Sequence, residues 1–127
     1  MTEIPAEDIP SLRTVAMPAD ANPNGDIFGG WLMSQMDIAG GTYAYNVAMG
    51  RVVTVAVDAM TFHKPVYVGD QVSCYCKTHR KGNTSISVLV ETKVVRRGTR
   101  RQEEKVTEGV FTFVAIDSQG RPRTIEF

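Results

Sequence analysis

A chain of 127 residues, 43% hydrophobic and 22% charged, is long enough for one packed core and too short for two, and its composition is that of an ordinary globular protein rather than a disordered one. Fourteen Lys plus Arg balance fourteen Asp plus Glu, so no overall field draws the chain to nucleic acid or to a membrane surface. Residues 1–10 carry no basic n-region or apolar h-region, and no apolar run approaches the roughly 18 residues of a spanning helix, so the expected address is cytoplasmic.

Residues 1–11 read as a flexible leader and 12–127 as a single domain. Leu12 to Met17 is a short strand stopped by Pro18. Ala19 to Gly29 is a loop dense in Asp, Asn, Pro and Gly, with Asn24-Gly25 favouring positive φ. From about Gly30 to Met49 the spacing predicts the one long helix, with Leu32, Met36, Ala39, Tyr43 and Val47 as its apolar stripe and Gly50 at its stop. After Gly50 the period changes from 3.6 to 2. Arg51 to Phe62 is a strand with Val53, Val55, Val57 and Ala59 in alternation, broken by His63-Lys64-Pro65. Gln71 to Arg80 places Val72, Cys74 and Cys76 on one side, and Lys81-Gly82-Asn83 turns the chain into Thr84 to Val95. Lys105 to Asp117 is apolar on both faces, as a central strand or one covered by a partner would be. One apolar helix covers one face of such an antiparallel sheet, giving a two-layer α+β domain whose uncovered edges dimerisation would protect.

Asp37 is the sharpest chemical feature. On a helical wheel its neighbours are Gly30, Met33, Gly41 and Ala44, with Gly40 a little further round. Each interior glycine costs roughly 1 kcal/mol against alanine, so a packed sheet, a second helix or a substrate needs the room. A partly buried carboxylate holding a water is a workable general base. The backbone N–H groups at the helix start, around Gly29 and Gly30, are unpaired within the helix and suit a developing oxyanion. Asn24 and Asp26 read either as turn formers only or, for Asn24, as a residue that orients a water or a carbonyl from the loop beside the helix start. No serine-hydrolase elbow, cysteine-protease signature, zinc-protease helix or phosphate loop is present. Cys74 and Cys76 lie too far apart on one strand for a mutual disulfide and without a second cluster give no metal site. The cations at strand ends, Lys64, Lys81 and the arginines from Arg96 to Arg101, read as solvated turn charge that a phosphate-bearing ligand would also find useful.

Taken together, Arg13 to Asp20, Asn24-Gly-Asp-Ile-Phe-Gly-Gly-Trp, Met33 to Asp37 and Arg51-Val-Val-Thr-Val resemble hotdog-fold acyl-CoA thioesterases of the YciA type. Met60-Thr-Phe, Pro65 to Asp70, Lys81-Gly-Asn-Thr-Ser85 and Phe111 to Asp117 extend the resemblance over roughly Leu12 to Thr124. It implies a hotdog fold, an antiparallel sheet of about five strands wrapped around one long central helix. It also implies a homodimer as the minimal active unit, with sites at the interface, and a hexamer built as a trimer of dimers. The activity implied is hydrolysis of acyl-CoA to free acid and CoA. Asp37 would be the general base or nucleophile, Asn24 its helper from the partner chain, and the amides of Gly29 and Gly30 the groups that polarise the thioester. CoA enters as part of substrate and product, with no separate cofactor and no metal. Lys64, Lys81 and Ser85 are candidates for the CoA phosphates, and Met60 and Phe62 for the acyl pocket. A hotdog dehydratase would need a histidine paired with the helix acid, and no histidine precedes His63. A non-catalytic acyl-CoA-binding or sensing module is the alternative of a different class, but it has no use for a carboxylate beside a thioester.

Overall fold

The computed structural model describes residues 4–127, so the first three residues of the expected leader lie outside the described residues. Strand β1 (Leu12–Val15), helix α1 (Gly29–Ala48) and strands β2 (Val52–Phe62), β3 (Gln71–Lys81), β4 (Ser85–Val95) and β5 (Glu103–Ala115) follow in that order. Short 3-10 turns precede β1 at Ala6–Asp8 and follow it at Pro18–Asp20. All pairings are antiparallel, in one five-stranded sheet ordered β1-β3-β4-β5-β2. The alternation in β3, β4 and β5 sends Cys74, Cys76, Ile86, Val88, Val90, Phe111 and Phe113 to one face, where α1 covers them. No helix among the described residues is long and apolar enough to cross a membrane.

The helix meets this face through small side chains. Leu32, Met36 and Ala39 are buried as the stripe predicts, but the contact continues through Gly40, Ala44 and Ala48, leaving Tyr43 and Val47 on its flank. The reason is close approach: a Cβ at Gly40 would stand 3.1 Å from Phe113 Cζ and 3.3 Å from Val90 Cγ2. Gly40 therefore makes room for the sheet. At the other end, the left-handed cap residue is Met49 (φ 55), not Gly50. At Gly50 a Cβ would lie 2.7 Å from Arg123 Nη2, the far end of a flexible side chain that donates to the Ala48 carbonyl at 2.8 Å, so a side chain there would have to displace that guanidinium.

β2 departs from simple alternation. Val53 pairs Val114 on the outer face, whereas Val57 pairs Phe111 on the helix face, because the register slips between Thr54 and Ala56. A second slip lies between Asp58 and Thr61, and there Ala59 holds φ 50. Positive φ costs an alanine about 1–2 kcal/mol. Ala59→Gly is therefore expected to raise stability by about 1 kcal/mol, read as a higher urea midpoint at fixed protein concentration. An unchanged or lower midpoint would show that no strain is held at this bulge. β5 lies between β4 and β2, and its outer-face Val110 and Val114 are only partly exposed, in keeping with its two apolar faces.

Cys74 and Cys76 are free and buried. Burial pushes both thiols up, Cys76 to about 11, so both stay protonated and inert. Ion pairs tie the far end of the sheet together. Arg96 meets the buried Asp70 at 2.7 Å and Glu104 at 3.1 Å, and Lys64 meets Glu104 at 2.8 Å. Hydrogen bonds from Lys64 and then Arg96 hold Glu104 below its ordinary 4.5, and those from His63 and Lys105 do the same for Glu108. A carboxylate lowered in the folded state adds stability above its unfolded value, and loses that stability as pH falls through its folded value. Unfolding free energy should therefore drop as pH is taken from about 5 to about 3. The Glu104→Gln/Glu108→Gln pair should flatten that drop, and an unchanged slope in urea titrations would contradict it.

Candidate active site

Asp37 sits on the flank of α1 beside the buried Met36, partly buried itself. Across from it, Thr54 lies on the helix face of β2, because it pairs with Phe113 of β5, whose ring is in the core. Thr54 Oγ1 donates to Asp37 Oδ1 at 2.6 Å. One carboxylate oxygen is thereby fixed, while Oδ2 has no hydrogen-bond partner among the described residues. The pair borders an open groove of about 520 Å³ whose walls include Gly41, Thr42, Tyr45, Asn46 and Arg51, with Phe113 at its base. Thr54 went unsingled in the sequence. Its available signal was a hydroxyl among valines on the strand that follows the helix acid.

The second set of predicted residues gathers at the start of α1. Gly29 and Gly30 are exposed residues whose N–H groups donate to no acceptor among the described residues, while those of Trp31 and Leu32 go to the Phe28 carbonyl. Gly29 and Phe62 border a groove of about 330 Å³ together with Asn22, Asp26, His63 and Lys64. Phe62 is 49% exposed, and its ring carbons lie 3.4 Å from where a Cβ on Gly29 would stand. Asn24 is exposed on the loop leading into this helix start, followed by Gly25 at φ 90. The loop is organised by Asn22, whose Oδ1 accepts from the N–H groups of Asn24 (2.9 Å) and Asp26 (3.2 Å).

These two half-sites are separate within one chain. Gly30 and Asp37 are seven residues apart, about 10 Å along the helix axis. The remaining predicted residues lie further out. Lys81 shares a cross-sheet row with Thr54 through Ile86 and Phe113, about 14 Å away, and its ammonium stands 5.0 Å over the Phe127 ring. Ser85 opens β4 at the same hairpin, Lys64 is held by Glu104, and Met60 packs against the core beside Gly109. Among the described residues no group of three or more His, Cys, Asp or Glu is arranged to hold a metal ion.

Comparison with known proteins shows the family. The family model described as the thioesterase superfamily matches residues 24–100, which include Gly29, Gly30, Asp37 and Thr54. The acyl-CoA thioester hydrolase YciA of Escherichia coli (strain K12) is 54% identical over 116 residues, covering 90% of this chain and 88% of that one. The hexameric thioesterase of Yersinia pestis superposes with a TM-score of 0.87 at 54% identity, over 94% of this chain and 96% of that one. A hexameric broad-specificity acyl-coenzyme A thioesterase, solved as an aspartate-to-alanine mutant, superposes at 0.88 with 51% identity, over 93% of this chain and 86% of that one. With its sheet, its central helix and these relatives, the chain belongs to the thioesterase superfamily, among the hotdog-fold acyl-CoA thioester hydrolases of the YciA type.

Proposed function

We propose that this protein hydrolyses acyl-CoA thioesters to free acid and CoA at a site composed from two chains. The observation that carries the reading is the 2.6 Å bond from Thr54 to Asp37, which leaves Oδ2 to act on a water or on the carbonyl carbon itself. In the water route Oδ2 takes a proton as the water oxygen bonds to the carbonyl carbon. The oxyanion is met by the amides of Gly29 and Gly30, the C–S bond then breaks, and the proton passes to the departing thiolate. Asn24 orients the water or the carbonyl. Beyond water, the reaction draws on the chain's own groups, and CoA is part of substrate and product.

Distance supports composition from two chains. Donors about 10 Å up the same helix cannot serve the carbon that Asp37 attacks, since a reacting pair needs about 3 Å. A partner supplied through β2 solves this. β2 is an 11-residue edge strand with one side unpaired, and it exposes Val53 at 39%, Val55 at 54% and Val57 at 37%. Two copies paired antiparallel about the middle of β2 bring the Asp37–Thr54 end of one strand beside the Phe62 end of its partner, and with it the partner's helix start. The hexameric state of the relatives supports further assembly of such dimers as a trimer of dimers. Lys81 and Ser85 serve the CoA phosphates, with Lys64 drawn from Glu104 for the same purpose, and Met60 and Phe62 border the acyl group. Free buried thiols suit a cytoplasmic address.

The test is thiol release from butyryl-, octanoyl- and palmitoyl-CoA by the purified protein. No release from any of them would sink the reading. The two-chain composition has its own test. Asp37→Asn and Asn24→Ala homodimers should each be nearly inactive, whereas co-expression should restore about a quarter of wild-type turnover, since half the dimers are mixed and each carries one intact site. No recovery would mean that both groups act from one chain.

A further inference from the structure

On the other flank of α1 lies a second groove of about 540 Å³, bordered by Ile9, Pro10, Tyr43 and Val47. It shares two walls, Thr42 and Asn46, with the groove at Asp37. Resting on the thioesterase reading, we infer that this second groove takes the distal alkyl tail of long-chain acyl groups, and that the segment around Ile9 and Pro10 sets chain-length preference.

Chemistry selects an alkyl occupant. The groove at Asp37 includes Asp37 and Arg51 on its walls, whereas the second groove has no Asp, Glu, Lys, Arg or His on its own. Phosphates and adenine would find no charge partner there, and a hydrocarbon needs none. Two of its polar side chains, Thr42 and Tyr43, are already engaged within the fold. Thr42 Oγ1 donates back to the Ile38 carbonyl at 2.8 Å, which leaves its methyl group to line the ridge between the grooves. The Tyr43 hydroxyl lies 2.9 Å from Thr78 Oγ1 and accepts from the Thr78 N–H at 3.1 Å, so its ring is fixed as a wall. The opposite wall is anchored too, because the Ser11 N–H donates to the Cys74 carbonyl of β3 at 2.9 Å. Ile9 is 49% exposed, an apolar side chain standing beside an apolar space. A tail that passes Asp37 and crosses the Thr42–Asn46 ridge meets this wall next.

Each methylene withdrawn from water is worth roughly fourfold in affinity, so losing two or more from the groove costs roughly tenfold or more. Ile9→Trp fills the space, and Ile9→Asp keeps it open but makes its wall charged. Both are expected to lower the ratio of kcat/KM for palmitoyl-CoA over butyryl-CoA by roughly tenfold or more. A ratio taken within one protein is unaffected by the fraction that folds. A ratio within twofold of wild type in both variants would overturn the inference. If the wild type turned over no acyl-CoA, the thioesterase reading would fall, and the groove would be judged by equilibrium binding of a fluorescent 18-carbon polyene fatty acid. Binding weakened in Ile9→Trp would keep it as an alkyl site, and equal binding would remove it.

Discussion

Asp37→Asn is expected to lower kcat for acyl-CoA hydrolysis by roughly 10²- to 10⁴-fold, with KM little changed. Asparagine preserves the size of the side chain and an oxygen that can accept from Thr54, so the 2.6 Å contact and the local fold survive. What disappears is the free carboxylate oxygen, and with it both routes to chemistry, since an amide neither removes a proton from water nor attacks a thioester. The loss corresponds to about 3–5 kcal/mol of transition-state stabilisation. Removing the donor instead should do less. Thr54→Val keeps the shape but frees Oδ1 to rotate, whereas Thr54→Ser keeps the hydroxyl and should recover most of the rate. The readout is thiol release from the three acyl-CoAs, beside circular dichroism and light scattering to establish fold and assembly. Equal rates for wild type and Asp37→Asn would take this carboxylate out of the mechanism.

The sequence made the helix and strands legible because their patterns are local. The change of period after Gly50, the turn chemistry at Lys81-Gly82-Asn83 and the double apolar face of β5 each depend on residues a few positions apart. What escaped depends on contacts distant in the chain. Gly50 reads as a helix terminator, yet the left-handed cap is Met49, and the group a Cβ at Gly50 would meet is the guanidinium of Arg123, 73 positions later. The slips in β2 are set by pairing to β5, which no alternation of valines reveals. Thr54 looks like one strand residue among many until the fold sets it against Asp37. The candidate residues were legible one by one, but their spacing in the fold was not. Asn24, Gly30 and Asp37 fall within fourteen successive positions, which suggests a single cluster, but the rise of the helix holds the last two about 10 Å apart. Proximity in sequence became separation in space, and in the proposed function the exposed edge of β2 is where a second chain would close it.

The packing of Gly40 against Phe113 should carry the largest share of stability of any single contact between helix and sheet. Phe113 is 1% exposed, and its ring lies against the bare backbone of α1. Phe113→Ala removes a fully buried ring and should cost about 3–5 kcal/mol, because the surrounding strands relax only partly into the cavity. Gly40→Val should also destabilise, by about 2–3 kcal/mol: its methyl groups must enter space already closed to a Cβ on the Phe113 and Val90 sides. Gly41 is the internal control. A Cβ there would meet Phe113 at an ordinary 3.6 Å, so Gly41→Ala should gain up to about 1 kcal/mol of helix stability. If the two destabilising effects share one space, they cannot add. The Gly40→Val/Phe113→Ala double variant places new methyls where the ring was, and should be more stable than the sum of the single effects by at least about 1 kcal/mol. Urea unfolding at one protomer concentration measures the cycle, since assembly makes the midpoint concentration-dependent. Strict additivity would mean that the helix and ring do not compete for this space, and that the glycine at position 40 answers to something else. A positive coupling would tie the glycine to the ring that also lines the groove at Asp37, so that the contact seating the helix on the sheet also fixes the distance from Asp37 to Thr54.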